Sequence, residues 1–183
     1  MTNSLGTITR SAPTLETEHL VLRAFRRDDL DAHAATLGDP AIMRYLGGKP
    51  TSREDSWRKL MMAVGQWPLL GFGFWAVETK ADGRMVGQAG LCDFERGLEP
   101  DISGAPEMGW IFDRSVHGQG FAAEACRAVI EWADRELAPE LIWAIISPDN
   151  AASLKLAERL GFERVGDNVY HGDPIAIFKR AAR

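Results

Sequence analysis

The sequence has few cysteines, no long apolar run and no excess of positive charge. Its two cysteines, Cys92 and Cys126, lack metal-binding or redox spacing, so we expect reduced thiols packed in the interior. The four histidines show no ligand spacing either, and we predict no metal site. No apolar run reaches the length of a membrane span, and residues 1–13 lack the apolar segment of a signal peptide. We therefore expect a cytoplasmic protein with no membrane partner.

The net charge of -5 gives the chain no general attraction for nucleic acid, so an anionic ligand needs local hydrogen-bond donors. Hydrophobic residues make up 45% of the 183 residues and charged residues 26%, as in an ordinary globular domain. The polar, non-periodic start predicts a flexible tail over 1–14. The rest, 15–183, contains no repeat or linker and predicts one domain.

Hydrophobic periodicity predicts about seven strands along the chain. It also predicts two long helices in the second half of the chain. The helix over 122–137 is the clearest, because its apolar residues recur at helical spacing; a second helix is expected over 151–160. An earlier helix opens near 51 and runs towards Gly65. The predicted strands are 19–25, 72–78, 85–91, 107–112, 141–146, 164–166 and 175–179. This order favours an α/β (α+β) fold with a mixed, mostly antiparallel sheet.

A glycine-containing loop joins the strand 107–112 to the long helix. Gly118 and Gly120 permit sharp turns and close backbone approach, and the helix start adds unpaired N–H groups and a positive dipole end. Together they predict a site for a pyrophosphate, although a plain strand-to-helix turn looks the same. The spacing fits neither a Walker loop nor a Rossmann fingerprint. We call residues 117–122 the anion loop.

The ordered motifs of the chain resemble the GNAT superfamily of N-acetyltransferases. Within that superfamily the chain is most similar to the branch of the ribosomal-protein N-terminal acetyltransferases RimJ and RimL. The family's loop reads Arg/Gln-x-x-Gly-x-Gly/Ala, and His117 stands here where Arg or Gln is usual. The residues that carry the resemblance are 15–23 (LETEHLVLR), 107–110 (EMGW), 118–125 (GQGFAAEA), 150–153 (NAAS) and 158–162 (ERLGF).

This resemblance implies a sheet that splays between its fourth and fifth strands and binds acetyl-CoA as cosubstrate. The pantetheine arm would follow the backbone of Trp110, Ile111 and Phe112. The pyrophosphate would lie on the anion loop. Asn150 and Ser153 would reach the CoA arm near the thioester, although Asn150 is equally well placed to cap the following helix. The residues implied in cofactor binding are Trp110, Ile111, Phe112, His117, Gly118, Gln119, Gly120, Phe121, Ala122, Asn150 and Ser153.

Attack of an amine on a thioester needs a base, a polarised carbonyl and a proton for the departing thiolate. Glu107 is the candidate base, at a position where family members often carry an acid; the alternative is an exposed strand end. The Ile111 N–H is the expected donor to the carbonyl. Family members often place a tyrosine acid where this chain has Ala157, so Ser153 or water would supply the proton.

The resemblance implies that the acceptor is a primary amine, either a protein N-terminal α-amine or a small-molecule amine. The loop 93–106, with acidic residues and Gly and Pro, and the apolar turn at 67–72 are candidate walls for it, although core packing explains Trp67 equally well. Lys155 and Arg159 are candidates for the 3′-phosphate of CoA. Two alternatives stay open: a non-catalytic acyl-CoA-binding or sensing domain, and a protein-interaction module. A monomer and a homodimer are equally compatible with the sequence.

Overall fold

The computed structural model of the protein describes residues 11–181. The strands are β1 (Leu15–Glu16), β2 (Leu20–Arg23), β3 (Phe74–Thr79), β4 (Met85–Cys92), β5 (Glu107–Phe112), β6 (Leu141–Ile146), β7 (Glu163–Tyr170) and β8 (Asp173–Ala181). The helices are α1 (Leu30–Gly38), α2 (Pro40–Met43), α3 (Arg53–Leu70), α4 (Phe121–Glu136) and α5 (Ala151–Arg159), with 3₁₀ turns at Arg27–Asp29 and Arg114–Val116.

One eight-stranded sheet contains every strand of the described residues, in the order β1-β2-β3-β4-β5-β6-β8-β7. Each neighbouring pair is antiparallel except β5 and β6, which are parallel. The predicted mixed, mostly antiparallel sheet is therefore confirmed. It has one more strand than the expected seven, because the two-residue β1 is too short to give a periodic signal.

The two faces of the sheet carry different helices. Helix α4 packs its buried stripe, which includes Cys126 and Val129, on the face that holds Met108 and Phe112 of β5. The opposite face holds Phe74 and Cys92 in one cluster with residues of α1 and α3. We call these the α4 face and the α1 face. Cys92 and Cys126 are buried and free, as predicted.

Helix α3 runs to Leu70, so the prediction that 67–72 forms an apolar turn was wrong. Pro68 lies inside the helix and lacks the N–H that would bond to the carbonyl of Val64, a residue on the exposed side of the helix. The helix continues because Trp67 is buried against Trp75 and Trp132, with ring centroids 4.6 and 5.4 Å away. Trp67 is therefore a core residue, and the core-packing alternative is confirmed.

Most of the predicted tail, residues 1–10, lies outside the described residues. Two residues of its last part contact the domain. Ala12 is buried, and the carbonyl of Pro13 accepts a hydrogen bond of 2.7 Å from Trp75 Nε1. Across residues 11–181, no helix has both the length and the apolar character needed to cross a membrane.

Candidate active site

The parallel strands β5 and β6 separate almost as soon as they meet. Their only registered pair is Glu107 with Trp143, supported by a hydrogen bond of 2.9 Å from the Trp143 N–H to the Pro106 carbonyl. The other edge of β5 pairs with β4 over its whole length. A parallel pair of this length would normally share evenly spaced bonds throughout. The sheet therefore contains a wedge-shaped gap that opens from Glu107 towards Phe112, and this confirms the predicted splay.

The hydrogen-bond ladder determines which amides of β5 face this gap. Asp113 N–H bonds to the Val86 carbonyl on β4 at 2.8 Å. Because N–H directions alternate along a strand, the Ile111 N–H also points to β4, and those of Trp110 and Phe112 point into the gap. The expected polarisation of a thioester carbonyl by the Ile111 N–H is therefore corrected: that amide belongs to the β4 ladder.

The anion loop follows β5 and is held in shape by its own side chains. His117 Nε2 lies 3.0 Å from the Phe112 carbonyl, and Gln119 Nε2 donates to the Ser115 carbonyl at 2.8 Å. Gly118 and Gly120 have φ angles of 79° and 85°, the left-handed region that side chains disfavour. The two glycines are therefore required by backbone conformation, as the sequence predicted.

Most amides of the anion loop are free to bind a ligand. The Gln119 N–H makes a long bond of 3.4 Å to the Val116 carbonyl, and the first bond of the helix joins Glu124 N–H to the Gly120 carbonyl at 3.0 Å. Within residues 11–181, the amides of Gly118, Gly120, Phe121 and Ala122 donate no hydrogen bond to a protein acceptor. Unpaired amides at the start of a helix of this length suit a diphosphate, so the residues present fit the CoA pyrophosphate.

Glu124, in the first turn of α4, connects the anion loop to the N-terminal strands. Its carboxylate accepts hydrogen bonds from Thr17 Oγ1 at 2.5 Å and from the His19 N–H at 2.8 Å, and it lies 3.0 Å from His19 Nδ1. Burial opposes ionisation of Glu124, but these hydrogen bonds outweigh it and lower its pKa. Glu124 was missed as a positioning residue, although both sequence motifs that it joins were recognised.

Asn150 and Ser153 lie beside the gap on the α4 face. Asn150 caps α5, and its Oδ1 accepts a hydrogen bond from the Ser153 N–H at 3.1 Å. The Oγ atom of Ser153 in turn accepts a hydrogen bond of 3.2 Å from Trp110 Nε1 across the gap. Because the hydroxyl accepts from the indole, its own hydrogen is available to a further acceptor. Ala157 is completely buried in the α4-face core, so a tyrosine at its position would need a different core.

Glu107 lies on the α1 face, since its cross-strand partner Cys92 packs there. Its side chain is 7% exposed, which excludes the alternative of an exposed strand end. Arg96, from the loop 93–106, pairs with both carboxylate oxygens, through Nε at 2.6 Å and Nη2 at 3.0 Å. Burial raises the pKa of Glu107, and the hydrogen bonds from Arg96 oppose the rise. Local sequence does not reveal this pair, because Arg96 lies in a non-periodic loop.

Two acidic side chains of the loop 93–106 accept hydrogen bonds from amides of the same loop. Asp93 accepts from the Glu95 and Gly104 amides, both at 3.0 Å, and Asp101 accepts from the Ser103 N–H. These two carboxylates therefore hold the loop in shape. Loop residues Leu98 and Ile102 pack on the sheet in a buried cluster that contains Trp143.

The chain resembles known proteins in both sequence and structure. Residues 19–163 match the family described as the acetyltransferase (GNAT) domain. The chain belongs to the GNAT acetyltransferase family. It is 27% identical over 154 residues to the N-acetyltransferase p20 of Bacillus licheniformis, with 84% of each chain covered. A GNAT-family acetyltransferase structure from Bordetella pertussis matches with a TM-score of 0.81 and 29% identity, over 93% of this chain and all of the other.

A more distant structural match is the ribosomal-protein-S5-alanine acetyltransferase of Vibrio fischeri. Its TM-score is 0.72 at 18% identity, over 93% of this chain and 97% of that one. At this identity the likeness concerns the GNAT fold alone. Family membership makes the chain an acetyltransferase that uses acetyl-CoA. The acceptor and the roles of individual residues are not established by the family.

Proposed function

We propose that this protein is an acetyl-CoA-dependent N-acetyltransferase in which a primary amine attacks the thioester directly. The observation that carries the proposal is a row of unpaired amides, Gly118 and 120–122, at the open end of the gap beside β5. The amides suit a diphosphate, and the gap offers a passage between the two faces of the sheet. Acetyl-CoA would supply the activated acetyl group.

The residues of the α4 face would hold the cosubstrate. The anion loop offers its amides and the positive end of the α4 dipole to the diphosphate. The Trp110 and Phe112 N–H groups are the only backbone donors that the described part of β5 directs into the gap beyond Met108. We assign them to the pantetheine arm and to the thioester carbonyl, in place of the Ile111 N–H.

Glu107 would act as general base from the α1 face. An ammonium group that reaches the gap from that side loses a proton to the Glu107 carboxylate, and the neutral nitrogen then attacks the carbonyl carbon. A raised pKa brings a carboxyl group closer to the pKa of an amine and so helps this transfer. Glu107 would then lie on one face of the sheet and the thiol of CoA on the other, and the gap would be the only passage between them.

Ser153 would protonate the departing sulfur. As the nitrogen–carbon bond forms and the carbon–sulfur bond breaks, the nitrogen loses its second proton to solvent and the thiolate receives one from Ser153 Oγ. Solvent then reprotonates Ser153 Oγ and takes up the proton held by Glu107, which restores both groups. The hydrogen bond from Trp110 Nε1 orients Ser153 towards the gap. Ser153 can therefore donate a proton there, whereas the methyl side chain of Ala157 has none to donate.

The acceptor class is an α-amine rather than a lysine side chain. An α-amine titrates near ~7.8, so roughly a tenth is neutral at pH 7, while a lysine near ~10.4 is neutral less than about once in a thousand. A single carboxylate base suits the first better than the second. Peptide N-termini, as in the RimJ and RimL branch, and small molecules whose amine has a similarly low pKa both fit this requirement.

Thiol release from acetyl-CoA tests the proposal. The purified protein is incubated with acetyl-CoA and a panel of peptides that differ at the N-terminal residue, amino acids and small amines. We expect release that depends on one class of amine, with the N-acetylated product identified by mass spectrometry. CoA binding without release over the whole panel would contradict the proposal and favour an acyl-CoA-sensing domain.

A further inference from the structure

Two aromatic rings and a carboxylate hold the guanidinium of Arg96. Its central carbon lies 4.5 Å from the ring centroid of Phe94 and 4.6 Å from that of Tyr170. Its Nε and Nη2 atoms bind Glu107, and Tyr170 is a further hydrogen-bond partner of the guanidinium. A planar guanidinium that stacks on rings and bonds along its edge has few other positions open to it. The side chain of Arg96, 15% exposed, is therefore fixed in place.

The contacts of this guanidinium join two segments that are distant in the sequence. The loop 93–106 carries Arg96 itself, and Tyr170 is the last residue of β7. Asn168 Nδ2, also on β7, donates a hydrogen bond of 2.9 Å to the Glu99 carbonyl of the loop. Tyr170 also packs against the buried cluster that joins the loop to the sheet. The β7–β8 hairpin therefore helps to set the position of the guanidinium.

Pairing with Arg96 leaves the Glu107 carboxylate able to act as a base. An ionised carboxylate has about four lone-pair positions, and the two bonds from Arg96 occupy one on each oxygen. The remaining positions can still accept a proton. Because the Glu107 side chain is only 7% exposed, burial favours the neutral acid, which takes no proton from an amine. The adjacent positive charge of Arg96 favours the carboxylate.

We propose that Arg96 is a positioning residue for the base, which it holds in one orientation and in the ionised form, and that Tyr170 stabilises Arg96 in that position. This inference rests on the proposed function, in which Glu107 accepts the proton of the amine. Arg96 acts through Glu107 and does not itself contact the reacting atoms. The first residue of β5 is thereby coupled to the β7–β8 hairpin.

Other titratable groups surround the pair. Burial raises the pKa of Glu107 and the Asp93 carboxylate adds to the rise, while Arg96 opposes both. Burial raises the pKa of Cys92, the cross-strand neighbour of Glu107, to about 11, so its thiol stays neutral near pH 7. The His171 ring lies 4.1 Å from the phenol ring that contacts the guanidinium. The titration of Glu107 must therefore be observed at its own carboxyl group.

A carboxyl titration tests the hold on Glu107 without any acceptor. Protein labelled with ¹³C at the glutamate side-chain carboxyl is titrated by NMR from about pH 4 to 9.5, and the Glu107 signal is identified by its absence in Glu107→Gln. Arg96→Met removes the positive charge. We expect this variant to move the midpoint of the Glu107 titration upwards by about 1–3 pH units. Arg96→Lys keeps the charge without the paired N–H groups and should move it less.

The pH profile of kcat connects this titration to turnover. Thiol release is measured at saturating acetyl-CoA with the amine that reacts fastest in the panel described above. In Arg96→Met the acidic limb should move upwards with the carboxyl titration, so that kcat falls at least about tenfold more near pH 6 than near pH 9. A purely structural role would lower kcat by the same factor at every pH.

Tyr170→Leu tests the second part of the inference and leaves both charges in place. Loss of the ring and the phenol oxygen frees the guanidinium, so both midpoints should move upwards by about half a pH unit. Tyr170→Phe retains the ring and should move them less. If Arg96→Met does not fold, Arg96→Lys and Tyr170→Leu decide the same question.

Arg180→Met is the matched control. Arg180, on β8, is buried and binds both oxygens of Asp134 on α4, at 2.9 and 2.8 Å. The variant loses a buried ion pair of the same kind at a different place in the fold. Its stability should fall, while the Glu107 titration and the acidic limb of kcat stay at their wild-type pH.

A Glu107 midpoint that stays in place in the Arg96 variants, or a kcat limb that does not follow this midpoint, would overturn the inference and leave the acetyltransferase intact. An equal displacement in Arg180→Met would overturn it too, because any buried pair would then have the same effect. Absence of thiol release with every amine is a different result. It would contradict the proposed function, and the positioning role of Arg96 with it.

Discussion

The indole N–H of Trp110 donates a hydrogen bond of 3.2 Å to the hydroxyl of Ser153. Trp110 belongs to β5, and Ser153 lies in the first turn of α5, so this bond joins the two sides of the gap. The bond also orients the serine hydroxyl, because an oxygen that accepts a hydrogen bond from the indole N–H points its own hydrogen away from the indole. Ser153 is thereby prepared to donate.

Ser153→Ala should lower kcat about 10- to 1000-fold through loss of the proton donor, with CoA affinity changed less than about threefold. Trp110→Phe is the matched control, since it removes the indole donor and retains the Ser153 hydroxyl. It should lose much less in kcat. Steady-state kinetics with calorimetric CoA binding check both. Similar kcat losses in the two variants would mean that the pair has a structural role only.

Glu107→Gln should lower kcat about 10²- to 10⁴-fold and leave CoA affinity unchanged, because Glu107 lies on the face opposite α4. Burial raises the pKa of Glu107, so wild-type kcat should increase with pH as this carboxyl group ionises. The glutamine variant should lack that acidic limb. Wild-type kcat that is constant from about pH 6 to 9 at saturating substrates, and matched by the variant, would exclude Glu107 as base.

Gly120→Ala should weaken CoA binding about tenfold, because a side chain at φ 85° costs about 1–2 kcal/mol and the loop relaxes by turning its amides away. Gly71→Ala is the control. Gly71 ends α3 at φ 80°, and in both positions a Cβ would have no atom within 4 Å. It should lose comparable stability in urea and no CoA affinity. Equal loss of affinity in both variants would indicate a global effect.

A stability prediction comes from His33, which is 3% exposed and has an unpaired Nε2. Burial lowers its pKa from 6.5 to about 4, against an opposing effect of Asp29. Between these values the unfolded chain binds a proton that the folded chain does not. The contribution of neutral His33 to the free energy of unfolding is therefore complete above pH 6.5 and is lost as the pH falls towards 4.

His33→Leu should remove this pH dependence. The free energy of unfolding of the wild type, relative to that of the variant, should fall by about 3 kcal/mol between pH 7 and pH 4. Urea unfolding at a series of pH values measures both proteins under the same conditions. Parallel pH profiles for the two proteins would contradict the buried, neutral state of His33.

The regular elements near the site were predictable because local patterns determine them. Helix α4 was expected at 122–137 and occurs at Phe121–Glu136, since its apolar stripe and the glycine before it are both encoded locally. Strand β6 was placed at its observed bounds as a continuous apolar run. The anion loop was predicted for the same reason: its glycines and the helix start are adjacent in the chain.

The charged pair at the acceptor side was not predictable, because Arg96 and Glu107 are joined only when the loop 93–106 folds back on the sheet. Helix α3 was underestimated because Gly65 and Pro68 are local stop signals that the packing of Trp67 overrides. The direction of the Ile111 amide depends on strand register, which a single strand pattern does not determine. Each error concerns a contact between distant segments.

The most direct test follows backbone amides of ¹⁵N-labelled protein by NMR during titration with CoA and, separately, with pantetheine, which lacks the diphosphate. We predict that the amide resonances of Gly118, Gly120, Phe121 and Ala122 shift on saturation with CoA and stay in place with pantetheine. The Trp110 and Phe112 amides should respond to both ligands. Anion-loop resonances that do not move in CoA-saturated protein would contradict the account.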